Sequence, residues 1–244
     1  MQHDEFAKER SIDLSFYRDW VSKREQARQA DAKKATHFVT ISREFGCLGY
    51  DVATGLIARI EKETGEKWSL FTRKMLEEMA ASAEFDKDNV HEIAETRWSF
   101  KDWFVDALVP SYLKSQQTKV FERMRNIILN LADKGHCVIL GGGSQIITHK
   151  LDPKKFEGLH FRVTASYEWR LHRMIELNKC DRSEAESLIR GNQANRDQFI
   201  RDFTGLSASD PFLYHVIFNN GKNDTEMMVD IAYHYLAKKG AFKA

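Results

Sequence analysis

Five short apolar runs, each separated from the next by helix-like sequence, constrain the fold of this chain more than any other feature. The runs are HFVTI (37–41), KWSLF (67–71), CVILGGG (137–143), LHFRVTA (159–165) and YHVIF (214–218). Strands that alternate with helices form mainly parallel sheets, and helices then cover both faces of the sheet. The pattern therefore predicts an α/β protein with a central, mainly parallel, five-stranded sheet.

The 244 residues divide into an N-terminal helical extension, residues 1–35, and a single domain, residues 36–244. One face of the extension carries an apolar stripe that is made of Leu14, Tyr17, Trp20 and Val21. The stripe is too apolar to remain in water, and it is too short to fold alone. We expect it to pack against the domain or against a second copy of the chain, which would form a homodimer through this helix.

Composition excludes several classes of partner. The net charge is +1, so no general basic field favours nucleic acid or a membrane surface. No apolar run approaches the roughly 18 residues that a membrane-spanning helix needs. The N-terminal sequence MQHDEFAKER has no apolar core of a secretory signal. The three cysteines are scattered and never form a CxxC pair, which disfavours a disulfide framework or zinc site and favours a cytoplasmic location.

A glycine-containing segment follows the first predicted strand. Residues 42–51 are expected to form a loop before the helix-like stretch DVATGLIARIEKE (51–63), and Gly46 and Gly49 lie within that loop. Such a loop can direct several backbone N–H groups into one hollow, and the helix start adds partial positive charge, so the hollow favours phosphate. The alternative is a tight turn that binds nothing. The segment is not a Walker A motif, because GxxxxGK[ST] is absent.

Six segments, in order, are similar to the cytidylate-kinase-like family, a branch of the P-loop proteins that is related to nucleoside monophosphate kinases. They are ISREFGCLGYDVATGLIARI (41–60), LFTRKMLEEMA (70–80), ADKGHCVILGGGSQIIT (132–148), FRVTASYEWRLHRMIE (161–176), ANRDQFIRDFTG (194–205) and YHVIFNNGKNDTEMMVDIA (214–232). The resemblance covers about residues 36 to 238. It implies a three-layer P-loop fold, a nucleoside triphosphate at the first loop, a nucleoside monophosphate across the cleft, and an arginine-bearing lid.

The resemblance also implies a set of site residues. The nucleotide cofactor, ATP, would contact Ser42, Arg43, Gly46, Cys47, Leu48, Gly49, Tyr50 and Asp51. The monophosphate substrate would contact Arg73, Gly141 and Gly142. The catalytic lid arginines would be Arg170, Arg173 and Arg196, and Asp51 would be a candidate Mg²⁺ ligand. Arginine suits these roles because its planar guanidinium binds phosphate oxygens in pairs.

Four departures from the family's pattern, which involve five positions, fall where the chemistry would occur. Gly49 stands at the place of a Walker lysine, and Tyr50 replaces the family's neighbouring arginine. Asp51 replaces the serine or threonine that would hold Mg²⁺, where it is either a metal ligand or an ordinary helix-start acid. Thr72 replaces an aspartate, and Gly142 replaces another arginine. The changes at Tyr50 and Gly142, with the missing lysine at Gly49, remove cations that would stabilise a transferred phosphoryl group.

Two functions remain open from the sequence. The first is phosphoryl transfer from ATP to CMP or a similar small acceptor. The second is a catalytically impaired pseudokinase that senses a nucleotide or binds another protein. The lid arginines favour the first function, although each could instead pair with a nearby glutamate. An aromatic stretch, Trp98, Phe100, Trp103 and Phe104, could stack a base, but it more often belongs to a core or an interface.

Overall fold

The computed structural model describes residues 14–30, 35–82 and 116–242. The predicted aromatic stretch at 98–104 lies outside these residues. The strands are β1 Thr36–Arg43, β2 Ser69–Thr72, β3 Cys137–Leu140, β4 Phe156–Thr164 and β5 Val216–Asn219. The helices are α1 Leu14–Ala30, α2 Gly49–Thr64, α3 Arg73–Ala81, α4 Gln116–Lys134, α5 Ser144–Thr148, α6 Tyr167–Asn178, α7 Arg182–Thr204 and α8 Thr225–Lys238, with a short 3₁₀ turn at Pro211–Leu213.

The five strands form one sheet in the order β2-β3-β1-β4-β5, and every pair is parallel. The predicted fold class is therefore confirmed. The first strand is longer than predicted, because β1 pairs with β4 from Thr36, opposite Phe156, to Arg43, opposite Val163. The prediction that residues 42–51 form the loop is wrong at both ends, since the strand ends at Arg43 and α2 begins at Gly49.

Alternating strand residues supply two cores, one on each face of the sheet. On one face, Val39 and Ile41 pack with the buried sides of α2 and α8. On the other face, Phe38 and Phe71 pack with α1, α3 and α4. This is the three-layer arrangement that a parallel sheet requires, because both of its faces are apolar. Among the described helices, none has the length and apolar character that crossing a bilayer requires.

Helix α1 packs on the second core. Tyr17 is 1% exposed and Trp20 is 7% exposed. The ring of Phe71 lies 5.0 Å from Trp20 and 6.4 Å from Tyr17, measured between centroids. Asn130 of α4 donates a 3.0 Å hydrogen bond from Nδ2 to the Tyr17 hydroxyl. The expectation that the apolar stripe packs against the domain is confirmed.

Candidate functional site

A small cavity lies at the carboxyl ends of the strands. Strand β1 has β3 on one side and β4 on the other, so the chain leaves β1 at a point where open α/β sheets usually bind ligands. The cavity is lined by Ser42, Arg43, Arg73, Gly141, Gly142, Gly143, Gln145, Arg162, Gln193, Arg196, Asp197, Phe199, Ile200 and Ala208. Its volume is about 30 Å³. That space holds about two water molecules, so it is too small for a whole nucleotide in this conformation.

The loop between β1 and α2, residues 44–48, does not form an open N–H hollow. The Phe45 N–H donates to Gln193 Oε1 at 2.9 Å, and the Leu48 N–H donates to Asn220 Oδ1 at 2.8 Å. The Glu44 N–H donates to a carbonyl of β4, and the Cys47 N–H donates back to Glu44. The prediction of convergent N–H groups is therefore wrong for this conformation, because protein oxygens already accept from them.

The three predicted lid arginines all reach this loop. Arg170 Nη1 donates to the Phe45 carbonyl at 3.2 Å, and Arg173 Nη1 donates to the Gly46 carbonyl at 2.7 Å. The Arg196 guanidinium lies 5.0 Å from the centre of the Phe45 ring. All three therefore point towards the loop, but the prediction that all three line one cleft with it is wrong for Arg170 and Arg173. Two of the three bind backbone carbonyls, however, and of the three only Arg196 lines the cavity.

A carboxylate from the loop itself anchors this arrangement. Glu44 Oε2 accepts from the Thr164 hydroxyl at 2.6 Å and from the Ala165 N–H at 3.3 Å. Its other contacts are cationic, with Arg170 Nε at 3.5 Å and Arg162 Nη2 at 3.6 Å. Because both arginines are nearly buried, the Glu44 charge offsets part of the cost of removing them from water.

Arg43 crosses the gap between the helix start and the glycine turn. A Cβ built on Gly49 would lie 3.0 Å from Arg43 Cβ and Cγ, and one built on Gly141 would lie 2.4 Å from Arg43 Nη1. Glycine at both places therefore lets the Arg43 side chain pass. Gly49 stands where a Walker lysine would be, so a cation from the preceding strand comes close to that position.

The other two arginines of the cavity come from the ends of β2 and β4. Arg73 begins α3, where its Nε lies 2.6 Å from Glu77 Oε1 and its guanidinium 4.5 Å from the centre of the Phe199 ring. Arg162 lies in β4 and is 6% exposed. Its Nη1 donates to the Ala208 carbonyl and, at 3.4 Å, to the Ser42 hydroxyl. Residues from β1, from β4 and from the start of α3 thus converge on one small space.

Three glycines turn the chain after β3. Gly141, Gly142 and Gly143 have φ angles of +82°, +67° and +71°. A side chain at Gly142 would be strained in this backbone conformation, and its Cβ would lie 3.3 Å from Leu76 Cδ1. The absence of an arginine at Gly142 therefore has a structural reason in this chain.

The remaining predicted cofactor residues have mainly structural contacts. Cys47 is 1% exposed and belongs to the first core, against which Tyr50 also packs. Leu48 is the N-cap of α2, and no side chain caps that helix start. Asp51 lies in the first turn of α2, where a carboxylate suits the helix dipole. Within the described ranges, no cluster of three or more His, Cys, Asp or Glu side chains could hold a metal ion.

Comparison with known proteins places this geometry in a family. The sequence model of the cytidylate kinase-like family matches residues 38–222. The chain belongs to the cytidylate kinase-like family. Among curated proteins, no sequence matches it.

Solved structures with this fold are distant in sequence. The crystal structure of an uncharacterized protein from Eubacterium ventriosum is 18% identical, with a TM-score of 0.63, and the match covers 83% of this chain and 99% of that one. Shikimate kinase from Bacteroides thetaiotaomicron is 13% identical over the same shares, with a TM-score of 0.46. The first likeness supports the fold of this chain and nothing finer.

Sequence reasoning missed several residues of this site, and four of them make the contacts described above. Glu44 follows the predicted Arg43, and Arg162 had a signal, since a charged residue inside the apolar run LHFRVTA requires a buried partner. Gln193 and Asn220 had no such signal. They contact the loop from 148 and 172 residues away along the chain. Only the folded structure brings them to Phe45 and Leu48.

Proposed function

We propose that this protein binds the phosphate group of a nucleotide in the arginine-lined cavity, as a protein of the nucleoside monophosphate kinase type, and that its phosphotransfer from ATP is weak or absent. The bound molecule would be CMP or a similar nucleoside monophosphate. Membership of the family supports the nucleoside monophosphate kinase type, and the positive charges that line the cavity support a phosphate-containing ligand.

One observation carries the proposal: four arginines line the cavity, namely Arg43, Arg73, Arg162 and Arg196, and within the described part of the chain Asp197 is the only acid that lines it with them. Arg162 and Arg196 are 6% and 9% exposed. Buried cations are costly unless anions compensate them. Glu44 and Glu77 lie beside Arg162 and Arg73, and with Asp197 they make three carboxylates against the four arginines of the cavity. A phosphate dianion in this space would offset the remaining positive charge, and guanidinium groups bind phosphate oxygens with favourable geometry.

Weak catalysis is supported by the loop. The N–H groups that would stabilise a transferred phosphoryl group already donate to protein oxygens, and Gly49 and Tyr50 carry no cation. Removing one preorganised donor of this kind typically costs about 10²–10³ in rate. Arg43 compensates for only part of the missing charge, because its side chain also spans the gap to Gly141.

ATP with Mg²⁺ is the proposed phosphoryl donor for whatever turnover remains. Asp51, at the start of α2, is the candidate metal ligand, since Mg²⁺ is usually held by one or two carboxylates together with phosphate oxygens. A triphosphate on the loop would have to displace Gln193 and Asn220 from Phe45 and Leu48. This competition would weaken ATP binding relative to a loop with free N–H groups.

Binding is tested by calorimetric titration of CMP, dCMP, UMP and AMP into the full chain, with Arg73→Gln and a matched control, Arg59→Gln. Both arginines have a glutamate four residues on and lie near an aromatic ring, but Arg59 lies away from the cavity. We expect Arg73→Gln to weaken binding about 10- to 100-fold, because a charge-assisted hydrogen bond contributes about 1.5–3 kcal/mol. The control should leave the Kd unchanged.

The two parts of the proposal, the binding site and the weak catalysis, can each be overturned by a separate result. If no monophosphate binds, or if Arg73→Gln and Arg59→Gln behave alike, the cavity is not the binding site. If ATP turnover with any of the four acceptors reaches a kcat of about 1–10³ s⁻¹ in Mg²⁺, the protein is an ordinary kinase and the weak-catalysis part fails.

A further inference from the structure

A second and larger cleft lies at the opposite end of β2. It is lined by Phe16, Asp19, Trp20, Lys23, Arg24, Glu66, Lys67, Ser69 and His136, and its volume is about 600 Å³. Ser69 begins β2, whereas Arg73 of the arginine cavity follows its last residue. A four-residue strand is roughly 13 Å long, so the cleft is separate from the cavity.

Helix α1 makes this cleft. Five of its nine lining residues belong to α1, and the other four belong to the edge of the domain. The family match begins at residue 38, after α1. The cleft is therefore a feature that this chain adds to the matched family region. Its volume falls within the range of about 300–1,000 Å³ that is usual for small-molecule sites.

The charges of the cleft favour an anion. Lys23, Arg24 and Lys67 face it together with two acids, Asp19 and Glu66. Lys67 lies 3.9 Å from Glu61, outside the cleft, and Glu66 lies 3.6 Å from His136. Among the residues that line the cleft the cations exceed the acids by one, and because Glu61 offsets part of the Lys67 charge, the preference for an anion depends on Lys23 and Arg24.

Arg24 is the most constrained of the three cations. Its Nε donates to the Lys134 carbonyl at 3.1 Å, and this bond fixes the guanidinium at the cleft. Burial lowers the pKa of Arg24, and nearby Glu66 only partly opposes that effect. A guanidinium that is partly removed from water gains from an anionic ligand more than a fully solvated one does.

The walls of the cleft are aromatic. Phe16 is 46% exposed, although its ring lies 6.4 Å from that of Phe71. On the domain side, the His136 ring stacks on Trp68 with centroids 5.3 Å apart, and burial lowers the pKa of His136 to about 4, so the ring is neutral at pH 7. Flat apolar surfaces of this kind contact rings.

We propose that the cleft between α1 and the edge of the domain binds a small aromatic or heteroaromatic molecule that carries an acidic group. The ring contacts Phe16 and Trp20, and the acidic group contacts Lys23 and Arg24. This site is independent of the arginine cavity and of the function proposed for it.

The probe for this site is 8-anilinonaphthalene-1-sulfonate, an aromatic sulfonate whose fluorescence rises on binding. Its neutral relative N-phenyl-1-naphthylamine tests the ring alone, and inorganic phosphate, used as a competitor, tests the charge alone. We expect one saturable site for the sulfonate on the full-length protein. The neutral ring should bind at least about tenfold more weakly, and millimolar phosphate should not displace the sulfonate.

Charge reversal locates the site. In the double variant Lys23→Glu/Lys67→Glu the sulfonate should bind roughly tenfold more weakly, because two nearby cations become anions. The control variant Arg18→Glu/Lys62→Glu changes the net charge equally on exposed positions that do not line the cleft, and it should bind like the wild type. Phe16→Ala should weaken binding about two- to tenfold through the lost ring contact.

Four results would overturn the proposal. They are equal affinity of the two double variants, equal affinity for the charged and neutral probes, displacement by phosphate, and loss of sulfonate binding in Arg73→Gln, which would move the site to the arginine cavity. A circular dichroism spectrum and an unfolding curve for each variant confirm that binding is compared between folded proteins.

Discussion

Gln193 accepts a hydrogen bond from the loop between β1 and α2. Its replacement should therefore lower the stability of the protein but strengthen the binding of a phosphate ligand to that loop. The Gln193 Oε1 atom accepts from the Phe45 N–H at 2.9 Å, and Nε2 donates to Asp197 Oδ1 at 3.0 Å within α7. Gln193→Leu removes both bonds at nearly constant side-chain size. Leucine and glutamine have similar helix propensities, so α7 itself should not be weakened.

The expected cost follows from the environment of Phe45. Its side chain is 2% exposed, and its N–H loses its acceptor in the variant. A buried donor without an acceptor costs about 1–3 kcal/mol. For a chain of this length, each kcal/mol lowers Tm by about 2–4 °C, which gives a decrease of roughly 2–12 °C.

Gln198→Leu is the matched control. Gln198 also lies on α7 and also donates to an aspartate four residues on, Asp202, but it is exposed and does not contact the loop. An exposed pair of this type contributes about 0.2–0.5 kcal/mol. The difference between the two variants therefore isolates the contact between Gln193 and Phe45.

The assay combines thermal unfolding with calorimetric titration of ATP in Mg²⁺. Gln193→Leu should be less stable than Gln198→Leu, yet it should bind ATP about 2- to 10-fold more tightly, because the freed N–H offers one more hydrogen bond of about 0.5–1.5 kcal/mol. Equal stability of the two variants would refute the structural account of the loop. Weaker ATP binding by Gln193→Leu would refute the idea that Gln193 competes with a phosphate.

Three further predictions concern the scaffold. Tyr17→Phe should cost about 1–3 kcal/mol in urea unfolding, because the buried Asn130 amide loses its acceptor; no change would contradict the docking of α1. Gly135→Ala should destabilise the fold more than Gly65→Ala. Both glycines have positive φ, but only at Gly135 would a Cβ overlap other atoms, 2.2 Å from a methyl group and 2.8 Å from a carbonyl oxygen; equal costs would exclude steric overlap as the cause. Stability should fall as pH drops from 6.5 to 4, because burial and neighbouring cations hold the folded-state pKa of His136 near 4 and the unfolded chain binds more protons in that window. Unfolding curves for wild type and His136→Asn should show a shallower fall in the variant, and parallel falls would exclude His136 as a cause.

Much of the fold could be predicted from the sequence because it depends on local patterns. The apolar runs become strands, and Gly135 ends α4 with a φ of +64°. The length of each strand, in contrast, depends on the neighbouring strand with which it pairs. β1 reaches Arg43 because β4 supplies a pairing residue, Val163, at that position, and no property of the segment around Ser42 indicates this.

The location of the candidate site could be predicted from the sequence, but the hydrogen-bond partners of its residues could not. Arg170 and Arg173 lie one helical turn apart on α6, and this spacing correctly indicated that they face the same direction. What they face is the carbonyls of Phe45 and Gly46. A guanidinium can donate to a phosphate oxygen or to a carbonyl oxygen, so the pattern of arginines alone does not identify the acceptor.

The loop carbonyls explain why these two arginines are needed even without a ligand. Gly46 has a φ of +90°, and a Cβ there would lie 3.2 Å from Arg170 Cβ, so the loop approaches α6 closely and turns its carbonyls towards it. Buried carbonyls need donors, and Arg170 and Arg173 supply them. Arg43, Arg73, Arg162 and Arg196 come from different elements and line the cavity. Arg73 and Arg162 also contact protein oxygens. What separates the two groups is position: Arg170 and Arg173 hold the loop carbonyls, whereas the four other arginines surround the space in which we propose that a phosphate binds.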